Sequence, residues 1–209
     1  MFFSRYTNVF SLENASFPTR RTVLKGLALF AVGSLSPLSR LAYAAPENQR
    51  ILTVYFSHTG NTRTVARQIH AAVGGDILEL QTVQTYPADH DSTVRQAEKE
   101  EENNFRPQLS TQFPEGMNDY DIIFVGYPVW VYTMPMALYS FFDQFKFPGK
   151  TIVPFSTHLG SGLADGPKQI ARLCPQATVS KGLAIRGNRV ASSQDTVNDW
   201  LHGLGITKQ

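Results

Sequence analysis

The sequence predicts an α/β fold with a doubly wound, five-stranded parallel sheet. Five short and mostly apolar segments have the length and composition of strands that are buried on both faces. Segments with apolar residues at helical spacing separate these strands, so that strand and helix alternate along the chain. Neighbouring parallel strands need long crossover connections, and the intervening helices supply them.

The first strand is predicted at residues 50–57, a nearly continuous apolar run. The helix predicted at 61–73 has apolar residues three and four positions apart and ends before Gly74 and Gly75, which are typical helix terminators. The other strands are predicted at 76–80, 121–127, 151–156 and 177–185, and the other apolar-faced helices at 134–145, 166–173 and 193–204.

The segment 81–115 does not fit a minimal alternating unit. It contains a polar helix candidate at 92–103, which includes the charged run 98–102. Such a run is usually a solvated helix face. The alternative is a cap or partner surface beside a ligand site, and the sequence leaves both interpretations open.

The first 44 residues have the order of features found in export signals. Residues 19–25 read TRRTVLK, and a modestly apolar stretch follows at 26–38. That stretch is too short and too interrupted by glycine and proline to span a bilayer as a stable helix. Residues 42–44 read AYA, a small-x-small cleavage pattern. This region resembles a twin-arginine signal, and a basic tail or a retained anchor are the alternatives.

This division predicts a signal at 1–44, read by the twin-arginine export machinery, and one domain at 45–209 in the periplasm or another extracytoplasmic space. Five of the 19 basic residues but only one of the 17 acidic residues lie in the signal, so the remainder has a formal charge of −2. The composition therefore gives no argument for nucleic-acid binding. The only cysteine, Cys174, excludes an intramolecular disulfide and is interpreted as a buried apolar filler.

A phosphate-binding loop is predicted directly after the first strand. Hydroxyl, glycine and amide residues end the apolar run there and precede a helix, whose N-terminal N–H groups favour an anion. The loop contains no Lys or Arg and lacks the ending of a metal-dependent P-loop. The alternative is an ordinary strand-to-helix turn with a capping residue. The candidate residues are Ser57, His58, Thr59, Gly60, Asn61 and Thr62.

Two further loops are predicted to contact a flat ring, the first by covering it and the second at its polar edge. An aromatic loop follows the third strand, and burial of its large rings needs a partner, which is either a stacked ligand or the domain core. A loop rich in glycine and hydroxyl groups follows the fourth strand, at the sheet edge where this fold class binds ligands. Its main-chain groups would bind the polar edge of the ring, and the alternative is a flexible loop that leads into the next helix. The candidates are Tyr127, Pro128, Val129, Trp130, Val131 and Tyr132 in the first loop and Thr157, His158, Gly160, Ser161 and Gly162 in the second.

These motifs resemble the flavodoxin family over essentially the whole of residues 45–209. The pattern Ser-x-Thr-Gly-Asn-Thr at 57–62 is similar to the family's phosphate loop, and Gly-Tyr-Pro-x-Trp at 126–130 is similar to its ring loop. The resemblance implies the strand order 2-1-3-4-5, with FMN bound where the first and third strands diverge. It also implies that the candidate residues above contact FMN, His58 mainly through its main chain. No residue stands out as a metal ligand or as a catalytic acid, base or nucleophile.

The chain departs from the family pattern in the two ring loops. Val131 and Tyr132 stand where bacterial relatives have Trp-Gly, and Leu159 replaces the first glycine of the second loop. The resemblance implies a redox protein that exchanges electrons with a partner protein or a membrane quinone. An electron carrier, an FMN-dependent reductase acting on a quinone or similar acceptor, and a non-redox module that lost its flavin remain as alternatives.

Overall fold

The computed structural model describes residues 49–206, so the predicted export signal lies outside the described residues. Strands and helices alternate as expected, and most bounds lie within two or three residues of the predicted ones. The strands are β1 (Ile51–Tyr55), β2 (Asp76–Glu79), β3 (Ile122–Pro128), β4 (Thr151–His158), β5 (Thr178–Val179) and β6 (Leu183–Arg186). The helices are α1 (Asn61–Val73), α2 (His90–Glu102), α3 (Met136–Gln144), α4 (Gly166–Leu173) and α5 (Gln194–Leu204).

The strands form one parallel sheet in the order β2-β1-β3-β4-β5, which confirms the predicted order. Adjacent strands are in continuous register: Ile51 faces Ile122, and Ile122 faces Thr151. Because the central strands β1, β3 and β4 are covered on both faces, their side chains are almost entirely buried.

The fifth strand is interrupted, which corrects the prediction of one continuous strand at 177–185. It forms two short strands, β5 and β6, and both pair with β4 in parallel. Three residues without strand pairing, 180–182, separate them. A Cβ on Gly182 would lie 2.7 Å from the carbonyl oxygen of Pro154, so this bend approaches β4 more closely than a side chain allows.

Apolar clusters cover both faces of the sheet. One cluster packs α3 and α4 against it through Leu138, Phe141 and Ile170, and the other packs α1 and α5 through Ile69 and Leu201. Cys174 lies inside the first cluster, where burial raises the pKa of its thiol to about 11. This environment agrees with its interpretation as an apolar filler.

The polar helix predicted at 92–103 is α2, the crossover between β2 and β3. It begins at His90, because the Asp89 carboxylate accepts a hydrogen bond from the Ser92 N–H at 2.9 Å. The charged run is not uniformly solvated: Glu100 is buried and accepts hydrogen bonds from the Tyr86 hydroxyl at 2.7 Å and from Gln96 at 2.8 Å. Across residues 49–206, no helix has both the length and the apolarity needed to cross a membrane.

Candidate cofactor site

The loop between β1 and α1 has the features of an anion site. Gly60 adopts φ 90°, a left-handed conformation that favours glycine, and brings the chain into the helix. In the part of the chain that the structure describes, no side chain caps α1, and the first turn has no acidic residue. The Ser57 hydroxyl accepts a hydrogen bond from the Arg63 N–H at 3.2 Å. The preceding N–H groups of the helix start are therefore oriented to receive an anion.

The nearest cation is neutralised by a carboxylate. Arg63 donates two hydrogen bonds to Glu79, the one from Nε at 2.8 Å. The Tyr55 hydroxyl donates to the same carboxylate at 3.0 Å. Burial, with the negative charge of Glu79, raises the pKa of Tyr55 to about 12, so its hydroxyl stays protonated and remains a donor. An anion at this loop would therefore be held by neutral donors, which is what the composition of the loop predicts.

A buried hydrogen bond joins the phosphate loop to the end of β4. The hydroxyl oxygens of Thr62 and Thr157 are 2.8 Å apart, and both side chains are buried. Thr157 and His158 lie within β4, whereas the sequence places them in a loop after residue 156. This extension of β4 fixes both residues beside the phosphate loop more firmly than a loop would.

His158 lies at the end of β4, opposite Arg186 on β6. Its Nδ1 atom is buried and has no hydrogen-bond partner within residues 49–206. Burial and the charge of Arg186 lower the pKa of its imidazole, which favours the neutral form. A buried ring nitrogen without a partner at this edge fits a site that a polar ligand completes.

Sequence reasoning did not identify Gly187, which follows β6 and approaches the phosphate loop. A Cβ there would lie 3.0 Å from the side-chain nitrogen of Asn61 and 3.9 Å from the main-chain oxygen of His158. A glycine directly after the last strand is the only sequence signal for this close approach.

The loop after β3 ends in a two-residue turn. Trp130 and Thr133 exchange main-chain hydrogen bonds of 2.9 and 2.8 Å across it. Val131 and Tyr132 both have positive φ values, 46° and 58°, as a type I′ turn requires. Glycine and asparagine usually occupy such positions, so two bulky residues are held here in an unfavourable conformation. The Tyr132 side chain is 80% exposed at the tip of the turn.

Trp130 is half-buried and lies among other aromatic rings. Its indole packs edge-on against Phe56, His58 and Tyr86, at centroid distances of 5.5, 5.7 and 4.9 Å. Tyr127 is completely buried and donates a hydrogen bond to the Leu163 carbonyl oxygen at 2.9 Å. Tyr127 therefore belongs to the core.

A groove lies between the loop after β3 and the loop after β4. This ring groove has a volume of about 610 Å³, within the usual range for ligand pockets. Four of the seven exposed large apolar residues among those described line it, so its apolar surface lacks a partner. The lining residues are Val94, Glu98, Val129, Val131, Tyr132, Leu159, Gly160 and Ser161.

The structure separates the predicted ring contacts into two groups. Val129, Val131, Tyr132, Gly160 and Ser161 line the ring groove. Pro128 and Trp130 line a second, smaller cavity beside α2, which also includes His58 and Thr59. Gly162 lines neither space. It allows the loop after β4 to turn, because it has φ 63° and its carbonyl oxygen accepts a hydrogen bond from the Ser156 hydroxyl at 2.8 Å.

Helix α2 contributes a wall that the sequence did not assign to the site. Val94 and Glu98 line the ring groove, and the cap beside a ligand site was one of the two interpretations of this segment. In the sequence, the apolar Val94 within an otherwise polar helix is the feature that favours a cap beside a ligand site over a solvated helix face. Over residues 49–206, no cluster of three or more His, Cys, Asp or Glu side chains has the geometry of a metal site.

Comparisons with known proteins agree with this geometry. A family model described as Flavodoxin matches residues 50–204. Among solved structures, a protein of Bacteroides eggerthii provisionally described as a flavoprotein is 27% identical with a TM-score of 0.67, and the match covers 77% of this chain and 100% of that one. A similarly described protein of Bacteroides uniformis is 28% identical with a TM-score of 0.66, covering 75% and 99%.

A third solved structure shows a ligand. It is a flavoprotein of Lactobacillus acidophilus in complex with FMN, 22% identical with a TM-score of 0.58, and the match covers 71% of this chain and 99% of that one. At that identity the likeness concerns the fold alone. A search of curated proteins found no match. Because the family model spans most of the chain and agrees with the strand order and loops, this protein belongs to the flavodoxin family.

Proposed function

We propose that this protein binds FMN at the carboxyl edge of its sheet and transfers electrons outside the cytoplasm. The observation that carries the cofactor assignment is the uncapped N-terminus of α1, whose preceding loop lines the cavity beside α2 together with the loop after β3. That cavity shares Val94, Val129 and Val131 with the ring groove, so the two spaces are neighbours. One end of that arrangement suits a phosphate, and the other suits a flat ring. Family membership and the FMN complex of a structural neighbour support the same cofactor.

Different residues would bind the phosphate and the ring of FMN. The N–H groups at the start of α1 and the hydroxyls of Ser57, Thr59 and Thr62 would hold the phosphate. Tyr132 and Leu159, on opposite loops of the ring groove, would enclose the ring and exclude water from it. Bound FMN would supply the redox chemistry, while the protein orients it and sets its environment.

A second candidate function is that of an FMN-dependent reductase for a quinone or a similar small acceptor. The observation that favours it is the exposed apolar rim of the ring groove, formed by Val131, Tyr132 and Leu159, on which a small apolar acceptor could pack. The two functions share the same cofactor site, so the cofactor test comes first.

The phosphate assignment is tested with the purified full-length chain, freed of flavin and titrated with FMN and with riboflavin. We expect FMN to bind at least 100-fold more tightly, because riboflavin lacks the phosphate. Asn61→Asp is nearly isosteric and places a negative charge at the first residue of α1, where it also favours the helix. It should weaken FMN binding at least tenfold and leave riboflavin binding unchanged. Equal affinities of the wild-type chain for both flavins would refute the assignment.

Export is proposed from residues 1–44 and tested separately. The full chain with Arg20→Lys and Arg21→Lys keeps the charge of the signal but lacks its arginine pair. We expect the wild-type chain in the extracytoplasmic fraction and the double variant in the cytoplasm. The same location for both chains would contradict a twin-arginine signal.

A further inference from the structure

A cavity of about 240 Å³ lies between the C-terminal half of α2 and the irregular segments before and after that helix. It shares no lining residue with the ring groove or with the cavity beside α2, so it is separate from the cofactor site. This glutamine cavity is lined by Val83, Gln84, Gln96, Glu100, Phe105, Pro107 and Gln108.

The walls of the glutamine cavity are joined by main-chain hydrogen bonds. The Val83 N–H donates to the Gln108 carbonyl oxygen at 2.8 Å, and an antiparallel bridge adjoins this pair. The Phe105 N–H donates to the Glu100 carbonyl oxygen at 2.8 Å, which ties the second segment to α2. The cavity is therefore formed by the fold itself, and a ligand would bind without ordering its walls.

A buried carboxylate lines this cavity. Glu100 is only 6% exposed, and its two oxygens accept hydrogen bonds from the Tyr86 hydroxyl at 2.7 Å and from the Gln96 amide at 2.8 Å. Burial, together with Glu100 itself, raises the pKa of Tyr86, so its hydroxyl stays protonated and remains a donor. Both donors are neutral. They leave acceptor sites on the carboxylate unused and its negative charge without a counter-charge.

The cations near Glu100 in the sequence do not neutralise it. Within residues 49–206, no Lys, Arg or His lies at ion-pair distance from its carboxylate. Arg106 donates to Asp143 at 2.7 Å, and Arg95 donates to a serine of its own helix. Lys99 precedes Glu100 on α2, and consecutive helical residues do not face each other. Buried charges are usually paired, so this carboxylate is suited to a cation from outside the chain.

The other lining residues suit an organic cation. The Gln96 amide nitrogen already donates to Glu100, so the same side chain has a carbonyl oxygen left to accept from an ammonium N–H. Val83 and Phe105 are each more than half exposed, and they offer an apolar surface and an aromatic face to the body of the ligand.

Two other classes of ligand fit less well. A metal ion would find a single carboxylate, since no cluster of three or more His, Cys, Asp or Glu side chains occurs in the part of the chain that the structure describes. An anion would be repelled by Glu100 and would meet no Lys or Arg in the lining. The volume is below the usual range of about 300–1,000 Å³ for ligand pockets, which favours a small molecule.

We propose that the glutamine cavity binds a small organic ammonium ion, with Glu100 as its counter-charge. The ammonium group donates to the Glu100 carboxylate and to glutamine carbonyl oxygens, and the apolar body of the ligand packs on Val83 and Phe105. This site does not depend on the cofactor, because the two sites have no lining residue in common.

The test compares two probes of nearly equal shape, benzylammonium and benzyl alcohol. Each is titrated by calorimetry into the full chain at neutral pH, with and without excess FMN. We expect benzylammonium to bind saturably at one site per chain, with the same affinity in both conditions. Benzyl alcohol, which lacks the charge, should bind at least tenfold more weakly.

Two variants of α2 isolate the charge of Glu100. Glu100→Gln is nearly isosteric and keeps an oxygen that can accept from Tyr86, so it should raise the dissociation constant of benzylammonium at least tenfold. The matched control is Glu101→Gln. It removes one negative charge from the next residue, which is exposed and does not line the glutamine cavity, and it should leave the affinity unchanged.

A lysine on the cavity wall provides a second variant. Gln108→Lys places an ammonium group of the chain itself at the cavity, so it should also raise the dissociation constant at least tenfold. Gln81→Lys adds the same charge outside the lining and serves as its control. Because Gln108 is exposed, this variant decides the question even if Glu100→Gln does not fold.

Three outcomes would overturn the proposal. The first is no binding of benzylammonium, or equal affinities for benzylammonium and benzyl alcohol. The second is an unchanged affinity for benzylammonium in both Glu100→Gln and Gln108→Lys. The third is competition between benzylammonium and FMN, which would place the probe in the cofactor site.

Discussion

A single buried hydrogen bond, between the hydroxyls of Thr62 and Thr157, connects the phosphate loop to β4. In Thr157→Val, the Thr62 hydroxyl stays buried and loses this partner, so we expect a loss of about 1–3 kcal/mol in the free energy of unfolding. Thr62→Val with Thr157→Val should cost less than the sum of the single changes. Urea unfolding measures all three. If Thr157→Val costs no more than Thr178→Val, on an exposed strand position, the bond does not stabilise the loop.

The imidazole of His158 should make stability depend on pH. Its pKa is lowered by burial and by Arg186, whereas the unfolded chain has the ordinary value of about 6.5. Just below that pH, the unfolded chain binds more protons at this site than the folded protein does. Stability therefore decreases as the pH falls below about 6.5, and the decrease ends below the folded pKa.

The pH effect is measured as the urea midpoint between about pH 7.5 and 5.5. We expect His158→Gln to reduce the decrease in midpoint. The control is His202→Gln, which changes an exposed residue on α5. An identical pH profile for wild type and His158→Gln would show that His158 does not carry the effect.

The type I′ turn contains Val131 and Tyr132, two bulky residues that are unfavourable at positive φ but whose side chains line the ring groove. Asparagine followed by glycine is the preferred pair. Val131→Asn with Tyr132→Gly should raise the free energy of unfolding by about 1 kcal/mol, because it relieves two unfavourable positive φ values. The same change removes the exposed Tyr132 ring from the groove and should weaken FMN binding.

Thermal unfolding without FMN and an FMN titration test the two effects independently. Val131→Asn alone, which keeps Tyr132, separates relief of strain from loss of the ring. A double variant that is less stable than wild type would contradict the interpretation of the turn. An unchanged FMN affinity of the double variant would show that Tyr132 does not contact the bound ring.

Helix α2 shows how far an element could be predicted from its own sequence. Its polar composition gave the correct structure at nearly the correct bounds. The burial of Glu100 was not predictable, because the partner that makes it tolerable, Tyr86, lies 14 residues earlier in an irregular segment. The walls that α2 contributes to the ring groove and to the smaller cavity beside it depend in the same way on how the helix packs, which its sequence does not state.

The molecule as a whole should be stabilised by its cofactor. A ligand at a free concentration 100 times its dissociation constant adds about 2.7 kcal/mol to the free energy of unfolding. For a domain of this size we expect FMN to raise the melting temperature by about 5–10 °C. Scanning calorimetry of the full chain with and without FMN measures this shift. Asn61→Asp should show a smaller shift at the same FMN concentration, and a melting temperature that is independent of FMN would contradict binding to the folded state.

The sequence by itself determined the layer architecture, the alternation of strand and helix, and the position of the polar loop between the first strand and the first helix. These features follow from local patterns: continuous apolar runs, helical spacing, and the polar residues 57–62 placed directly between a strand and a helix. The resemblance to flavodoxins added the strand order, and the structure has that order.

Only the tertiary structure decided which predicted residues face the groove and which support it. It buried Tyr127 and packed Trp130 among other aromatic rings, left Tyr132 exposed, and placed Val94 of α2 beside the ring loop. It also divided the last strand into β5 and β6. These outcomes depend on contacts between residues far apart in the chain. A local sequence pattern indicates which secondary structure a segment can form. Which side chains are buried at the site depends instead on the distant residues that pack against them in the folded chain.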